Sequence, residues 1–364
     1  MNIVIAPDSF KGSLPALEVA SAIAEGWLSV RPLDTVSLIP QADGGEGTLD
    51  AIEAAVPGAV RHQVGQVTGP DQHPTPGVWL ELPGGVAVVE LAQMSGLPLM
   101  HTLDPLGATT FGLGEVIRAA LESGAQRLVI GLGGSASTDA AAGALAALGL
   151  RQADGSPLPL GGAGLADLLG LDRSALLAPP PGGVVLLTDV AAPLAGPFGA
   201  AVVFGPQKGA SPADVATLDS ALAHFAELLD GPADLPGTGA AGGAGFGFVA
   251  AWDAVIEPGA DYLARLTGLA ESVASADVLL TGEGRFDATS STGKLVGELI
   301  RIAAKHDVRV GVVAGQLTAQ PIAADGTPLW SAALVDLAGS VDAAMADPAR
   351  WLRHAGAAAA AALA

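Results

Sequence analysis

The chain has 364 residues, a formal net charge of −21 and no cysteine, which excludes a disulfide framework, thiolate metal ligands and a cysteine nucleophile. So acidic a chain lacks the basic face that nucleic-acid backbones require, and no apolar run approaches the roughly 20 residues of a membrane helix. Half of the residues are apolar but only 4% are aromatic, so cores of Ala, Leu and Val are expected, in two domains of ordinary size.

The start, Met-Asn-Ile-Val-Ile-Ala-Pro, has no basic segment before an apolar one, so no leader is expected and the location read from it is cytoplasmic. Asn2–Ala6 reads as a strand, followed by a turn and a helix over Pro15–Val30. A second strand at Thr35–Pro40 leads through a glycine-rich turn to a helix at Leu49–Ala55. From Val64 to Pro98 short alternating runs, Gly77–Leu82 and Val86–Leu91 among them, predict antiparallel hairpins. A helix at Gly112–Ser123, a strand at Arg127–Gly131 and an Ala-rich helix ending near Leu148 come next.

Ala153–Gly183 is rich in Gly and Pro and is expected to wind over the surface. Strands are expected at Val184–Thr188 and Ala201–Phe204, a helix at Pro212–Leu229, a flexible stretch at Gly237–Gly247 and a helix at Asp261–Ser275. The end returns to βα alternation: strand Asp277–Leu280, helix Lys294–Lys305, strands Arg309–Val313 and Ser331–Val335, and a last helix through Ala344–Leu363. The pattern predicts an α/β protein of two domains. A flavodoxin-like parallel-sheet domain is built from both chain ends, residues 1–61 and 273–364, with a mixed α/β domain inserted at 62–272 and an active site in the cleft between them.

Only four lysines occur, and three of them, Lys11, Lys208 and Lys294, lie in glycine-containing turns. Either the chain is simply biased to Arg, or these positions need a compact ammonium for a small anion. In Ala6-Pro-Asp-Ser-Phe-Lys-Gly-Ser, Asp8, Ser9 and Lys11 follow the first strand, where they can cap the next helix or hold an anion at its N-terminus. Ala42-Asp-Gly-Gly-Glu-Gly-Thr sets Asp43 and Glu46 around Gly44 and Gly45; the acids can hold Mg²⁺ or a hydroxyl, or simply face solvent. Gly133-Gly-Ser-Ala-Ser-Thr-Asp links a strand to a helix and can offer amides to a phosphate, or Ser135 and Thr138 can cap the helix.

Asp189 ends a buried strand, as a general base, a metal ligand or a turn cap would. Gly282-Glu-Gly-Arg-Phe-Asp brings Arg285 and Asp287 into another glycine loop. The Lys294 segment is not a Walker A loop, because Ala288 stands at the first glycine position and Leu295 follows the lysine. The six histidines show no metal-ligand spacing, and there is no Gly-x-Ser-x-Gly elbow.

Seven segments in this order resemble the glycerate kinase type 1 family: Ala6–Leu14, Ala42–Thr48, Val67–Pro70, Gly131–Asp139, Phe204–Ala210, Gly239–Gly243 and Gly282–Asp287 with Gly293–Lys294. The resemblance implies ATP- and Mg²⁺-dependent phosphorylation of D-glycerate to 2-phosphoglycerate; a monomer or homodimer is expected. Another small hydroxy acid as acceptor, or a non-catalytic sugar-acid sensor, are the alternatives. For that reaction, catalytic roles are expected of Asp189, Lys11, Lys208 and Arg285. Ligand binding would fall to Asp8, Ser9, Gly44, Gly45, Gly133, Gly134, Ser135, Thr138, Asp139, Gly282, Gly284 and Lys294, and metal binding to Asp43, Asp189 and Asp287. Departures include Thr138 where the family usually has Asn, and Ala140-Ala141 where it usually has Gly-Gly.

Overall fold

The computed structural model describes residues 1–10, 12–288, 290, 295–323 and 325–364. The chain forms two compact units: Met1–Ala42, Asp50–Pro57 and Ala260–Ala364 make one, Asp43–Leu49 and Gly58–Gly259 the other. Asp43–Leu49 belongs to the larger unit because backbone bonds hold it there. Gly133 N donates to Gly44 O at 3.0 Å, and the amides of Gly47 and Leu49 donate to Glu90.

The first unit carries a parallel five-stranded sheet. From edge to edge its strands are Thr35–Leu38, Asn2–Pro7, Val278–Phe286, Arg309–Leu317 and Trp330–Ala333, which in order of appearance is the flavodoxin-like sequence 2-1-3-4-5. Alternation along Asn2–Pro7 divides the core. Ile3 and Ile5 pack on one face with Ile23, Trp27 and Leu352, while Val4 and Ala6 pack on the other with Leu299 and Ile300. Helices Ala16–Val30 and Pro348–Leu363 cross closely because glycines meet backbone: a methyl on Gly26 would overlap Arg353 O, and one on Gly356 would overlap Ile23 O.

The second unit holds a six-stranded mixed sheet in the order Val255–Glu257, Val184–Leu187, Arg127–Gly131, Val86–Glu90, Pro74–Leu82 and Val60–Thr68. The first four are parallel and the last two antiparallel; the hairpins expected from Val64 are present up to Glu90, but the rest of that stretch is not hairpin, since it forms the short helix Ala92–Ser95 and the 3-10 turn Leu97–Leu99. The central parallel strands are mainly apolar and buried, with charged residues confined to their ends at Glu90 and Arg127, and the sheet packs on Leu113, Val116 and Ile117 of the helix Phe111–Glu122. The protein is thus α/β; among the described residues its two large sheets are one parallel and one mixed, and Arg151–Gln152 pairs with Leu171–Asp172 in a small antiparallel sheet. Among the described residues no helix is long and apolar enough to cross a membrane.

Several elements differ from expectation. Ala201–Phe204 is not a strand but part of the helix Ala200–Phe204, with Ala200 and Ala201 buried and Val202 and Val203 exposed; so short an apolar run carries no decisive period. Gly237–Gly247 is not a flexible loop. Most of it enters the buried helix Ala240–Trp252, which is kinked where Ala241, Gly242 and Gly243 take positive φ. The expected helix over Asp261–Ser275 breaks at Gly268, in the left-handed region, into Gly259–Leu266 and Leu269–Ala274. The last strand ends at Ala333 with a short helix, Leu334–Ala338, and the final helical segment is interrupted at Asp347, which caps Pro348–Leu363.

Candidate active site

Parallel strands end together, so the loops that follow them collect on one edge of a sheet. In the larger unit the loops after Arg127–Gly131 and Val184–Leu187 meet the Asp43–Leu49 turn around a cavity of about 530 Å³. Its lining includes three carboxylates, Asp43, Glu46 and Asp189, the turn Gly133-Gly134-Ser135, and Lys208. All of these belong to one unit.

The two glycine turns lie backbone against backbone. A methyl on Gly133 would overlap Gly45 Cα, and one on Gly131 would come 2.6 Å from Gly44 O. Gly44 has φ +92, and a side chain there would meet Leu187 O at 2.6 Å. Glycine is therefore required at Gly44 both for its conformation and for the approach. Asp43 Oδ1 accepts the amide of Gly45 at 3.1 Å, and Asp189 Oδ1 accepts that of Gly259 at 3.0 Å, so each carboxylate is anchored to backbone while remaining exposed.

Lys208 does not extend into solvent. It lies in the short 3-10 turn Pro206–Lys208, is 2% exposed, and donates from Nζ to Ser135 Oγ at 2.8 Å and to Ser137 O at 2.5 Å. Burial lowers its pKa from 10.5 to about 7, with the charge of Asp139 opposing the shift. Asp139 is itself fully buried and accepts from Thr110 N at 2.9 Å and Thr110 Oγ1 at 2.8 Å. Burial raises its pKa against those donors. Thr138 and Asp139 thus stand behind the turn and do not line the cavity.

Ala140 and Ala141 keep left-handed conformations, with φ 49 and 58. Each costs about 1–2 kcal/mol relative to an ordinary helical or extended residue. Their methyls fit because the opposing helix presents Gly243 and Gly247.

The remaining expected residues fall in the first unit. Asp8 and Ser9 follow Asn2–Pro7, and Asp8 N donates to Gly282 O at 2.8 Å. Gly284 and Arg285 lie on the strand Val278–Phe286, with Arg285 exposed. Asp287 closes a small turn with Ser290: its amide donates to Ser290 Oγ at 3.1 Å and its Oδ1 accepts Ser290 N at 3.3 Å. Lys11 and Lys294 lie outside the described residues.

One residue the motifs did not single out is Glu90. It is fully buried at the end of its strand and accepts Gly47 N at 3.1 Å, Leu49 N at 3.0 Å and Gln93 Nε2 at 3.1 Å. The signal that marks Asp189, a carboxylate ending an apolar strand, is present at Glu90 as well.

Comparison with known proteins gives one consistent answer. The family model described as the glycerate kinase family matches residues 3–364. The glycerate 2-kinase of Escherichia coli K12 is 41% identical over 329 residues, covering 87% of this chain and 86% of the relative. The glycerate kinase of Bacillus subtilis 168 is also 41% identical, with the same coverage. The crystal structure of a Salmonella typhimurium LT2 protein assigned as glycerate kinase 2 superposes with a TM-score of 0.81 at 37% identity, covering 100% of this chain and 98% of that one.

Proposed function

Because this chain belongs to the glycerate kinase family, we propose that it transfers the γ-phosphoryl group of ATP to the 2-hydroxyl of D-glycerate, forming 2-phosphoglycerate and ADP. The observation that supports this most is the cavity of the larger unit, where three carboxylates face a glycine turn backed by a buried lysine. Phosphoryl transfer needs chiefly positioning and charge neutralisation, and little covalent chemistry from the protein.

Asp189 is the residue we assign to the acceptor. Its carboxylate orients the 2-hydroxyl and takes its proton as the hydroxyl oxygen bonds to the γ-phosphorus and the bond to the leaving ADP oxygen breaks. The Gly133-Gly134-Ser135 turn supplies amides to anionic oxygens, and Gly44 and Gly45 keep that turn in place. Lys208 positions the turn through Ser135 and Ser137, with Thr138 and Asp139 as its buried support. Asp8, Ser9, Gly282, Gly284 and Arg285, with Lys11 and Lys294, are assigned to the remaining ligand contacts, the cations offsetting phosphate and carboxylate charge.

Carboxylates lining a site for polyanions would repel them without an intervening cation. The exposed carboxylate oxygens of Asp43 and Asp189 in the larger unit, and separately the carboxylate oxygens of Asp287 in the first, are donors of the kind Mg²⁺ takes. When bound, Mg²⁺ offsets charge on the phosphates.

A coupled assay for ADP release with D-glycerate and a panel of small hydroxy acids tests the reading, with the product identified by phosphorus NMR. Turnover of D-glycerate to the 2-phosphate is expected. Binding without turnover, or preferred turnover of another acid, overturns it.

A further inference from the structure

Away from the cavity, the fold assembles a cluster that spacing along the chain does not reveal. Asp71 and His73 sit in the turn between the strands Val60–Thr68 and Pro74–Leu82, and His101, 30 residues beyond Asp71, follows the 3-10 turn Leu97–Leu99. The hairpin turn is held by its own backbone: Gly69 N donates to His73 O at 2.8 Å, and Gln72 N to Gly69 O at 3.0 Å. Asp71 Oδ1 accepts the amide of His73 at 3.2 Å, and Oδ2 accepts the amide of His101 at 3.2 Å. The carboxylate is therefore fixed from both segments before any ligand arrives.

Around it stand two imidazoles. His101 Nδ1 lies 2.6 Å from Asp71 Oδ2 and His73 Nδ1 lies 3.2 Å from the same oxygen. One ligand atom from each residue falls within 4.8 Å of the other two. Both histidine side chains are well exposed, at 65% and 72%, so their rings adjust at small cost, while Asp71 is only 12% exposed. Two imidazole nitrogens and one carboxylate oxygen form a donor set for a borderline transition cation and not for Mg²⁺, which takes oxygens. Donors about 2.0–2.1 Å from a tetrahedral ion sit roughly 3.3 Å from one another. The His73 to Asp71 spacing already meets this, and His101 needs to open only slightly.

We propose that Asp71, His73 and His101 form a surface site for Zn²⁺ or a similar divalent transition metal, leaving one open position for water. The ion ties the hairpin turn to the segment that follows Leu97 and Pro98, two residues that line the cavity. The hydrogen bonds of Asp71 then serve as the positioning partners that metal ligands require.

The test is calorimetric titration of ZnCl₂ into the whole protein, stripped with EDTA and dialysed, beside His73→Gln, His101→Gln and the double variant. One equivalent of Zn²⁺ binding in the micromolar range is expected, with affinity at least tenfold weaker in each single variant and no binding at this site in the double variant. Zn²⁺ should also raise the unfolding midpoint of the wild type but not of the double variant. Co²⁺, used as a second probe, should give visible ligand-field absorption in the wild type that the double variant lacks. Equal Zn²⁺ affinity in the wild type and the double variant would overturn the proposal, as would the absence of binding to the wild type. Neither result bears on phosphoryl transfer, so the two readings fail separately.

Discussion

Lys208 Nζ lies 2.8 Å from Ser135 Oγ, joining two glycine turns that are 73 residues apart in the chain. The lysine that sequence spacing presents as an ammonium awaiting an anion is already bonded to protein. This changes what its substitution should do. Its folded pKa, about 7, lies below the ordinary 10.5. Between those values the folded state binds fewer protons than the unfolded state, so stability rises with pH across that window and the term is flat below it. Urea unfolding at pH 7 and pH 10 should show this rise in the wild type and lose it in Lys208→Met. Equal pH dependence in both proteins would remove Lys208 as its source.

Asp189 is exposed and bonded to backbone through the amide of Gly259, which an asparagine can still satisfy. Asp189→Asn should therefore keep that anchor and remain folded while kcat falls about 100-fold or more, the scale of a lost general base. A coupled ADP assay beside a thermal melt separates the two effects. Full kcat in the variant would end the assignment of Asp189 as base.

Gly44 and Gly47 share positive φ, +92 and +86, but not surroundings: a methyl at Gly44 meets Leu187 O at 2.6 Å, while one at Gly47 meets nothing within 4 Å. Gly47→Ala should cost about 1–2 kcal/mol for conformation alone. Gly44→Ala adds backbone overlap and should cost about 3 kcal/mol or more. Chemical denaturation of the two variants measures the difference, and equal losses would mean that the close approach is not real.

Glu90 takes two amides with its two carboxylate oxygens, and a glutamine there offers only one acceptor oxygen. Glu90→Gln should leave one buried amide unsatisfied, costing about 1–3 kcal/mol, and should lower kcat because the Asp43–Leu49 turn loses an anchor. Denaturation and the ADP assay read the two effects; a variant as stable as the wild type would show that the carboxylate does not hold the turn.

Legibility in the sequence followed the range of the forces involved. Asn2–Ala6 and Arg127–Gly131 are readable as strands because their apolar runs are bounded by turn residues, and Gly77–Leu82 and Val86–Leu91 because alternation is a local property; the same reading fails beyond Glu90, where Ala92–Ser95 and Leu97–Leu99 are helical. Ala201–Phe204 misleads because so short an apolar run satisfies either period, and the burial of Ala200 and Ala201 goes with the helix Ala200–Phe204. Gly237–Gly247 misled for another reason. Its glycines suggest freedom, yet they are there so that Ala140 and Ala141 can pack against them.

The residues of this chain, read in order, were enough to indicate an α/β protein, its glycine turns and its family, since strand periodicity, turn chemistry and motif order are carried by neighbours in sequence. They could not indicate that Lys208 is buried and bonded, that Glu90 anchors the Asp43–Leu49 turn, or that Asp71, His73 and His101 meet. Those facts depend on which loops the sheet of the larger unit brings to the same place. Hydrogen bonds, desolvation and ligand geometry act over a few ångströms of space, whatever the separation along the chain.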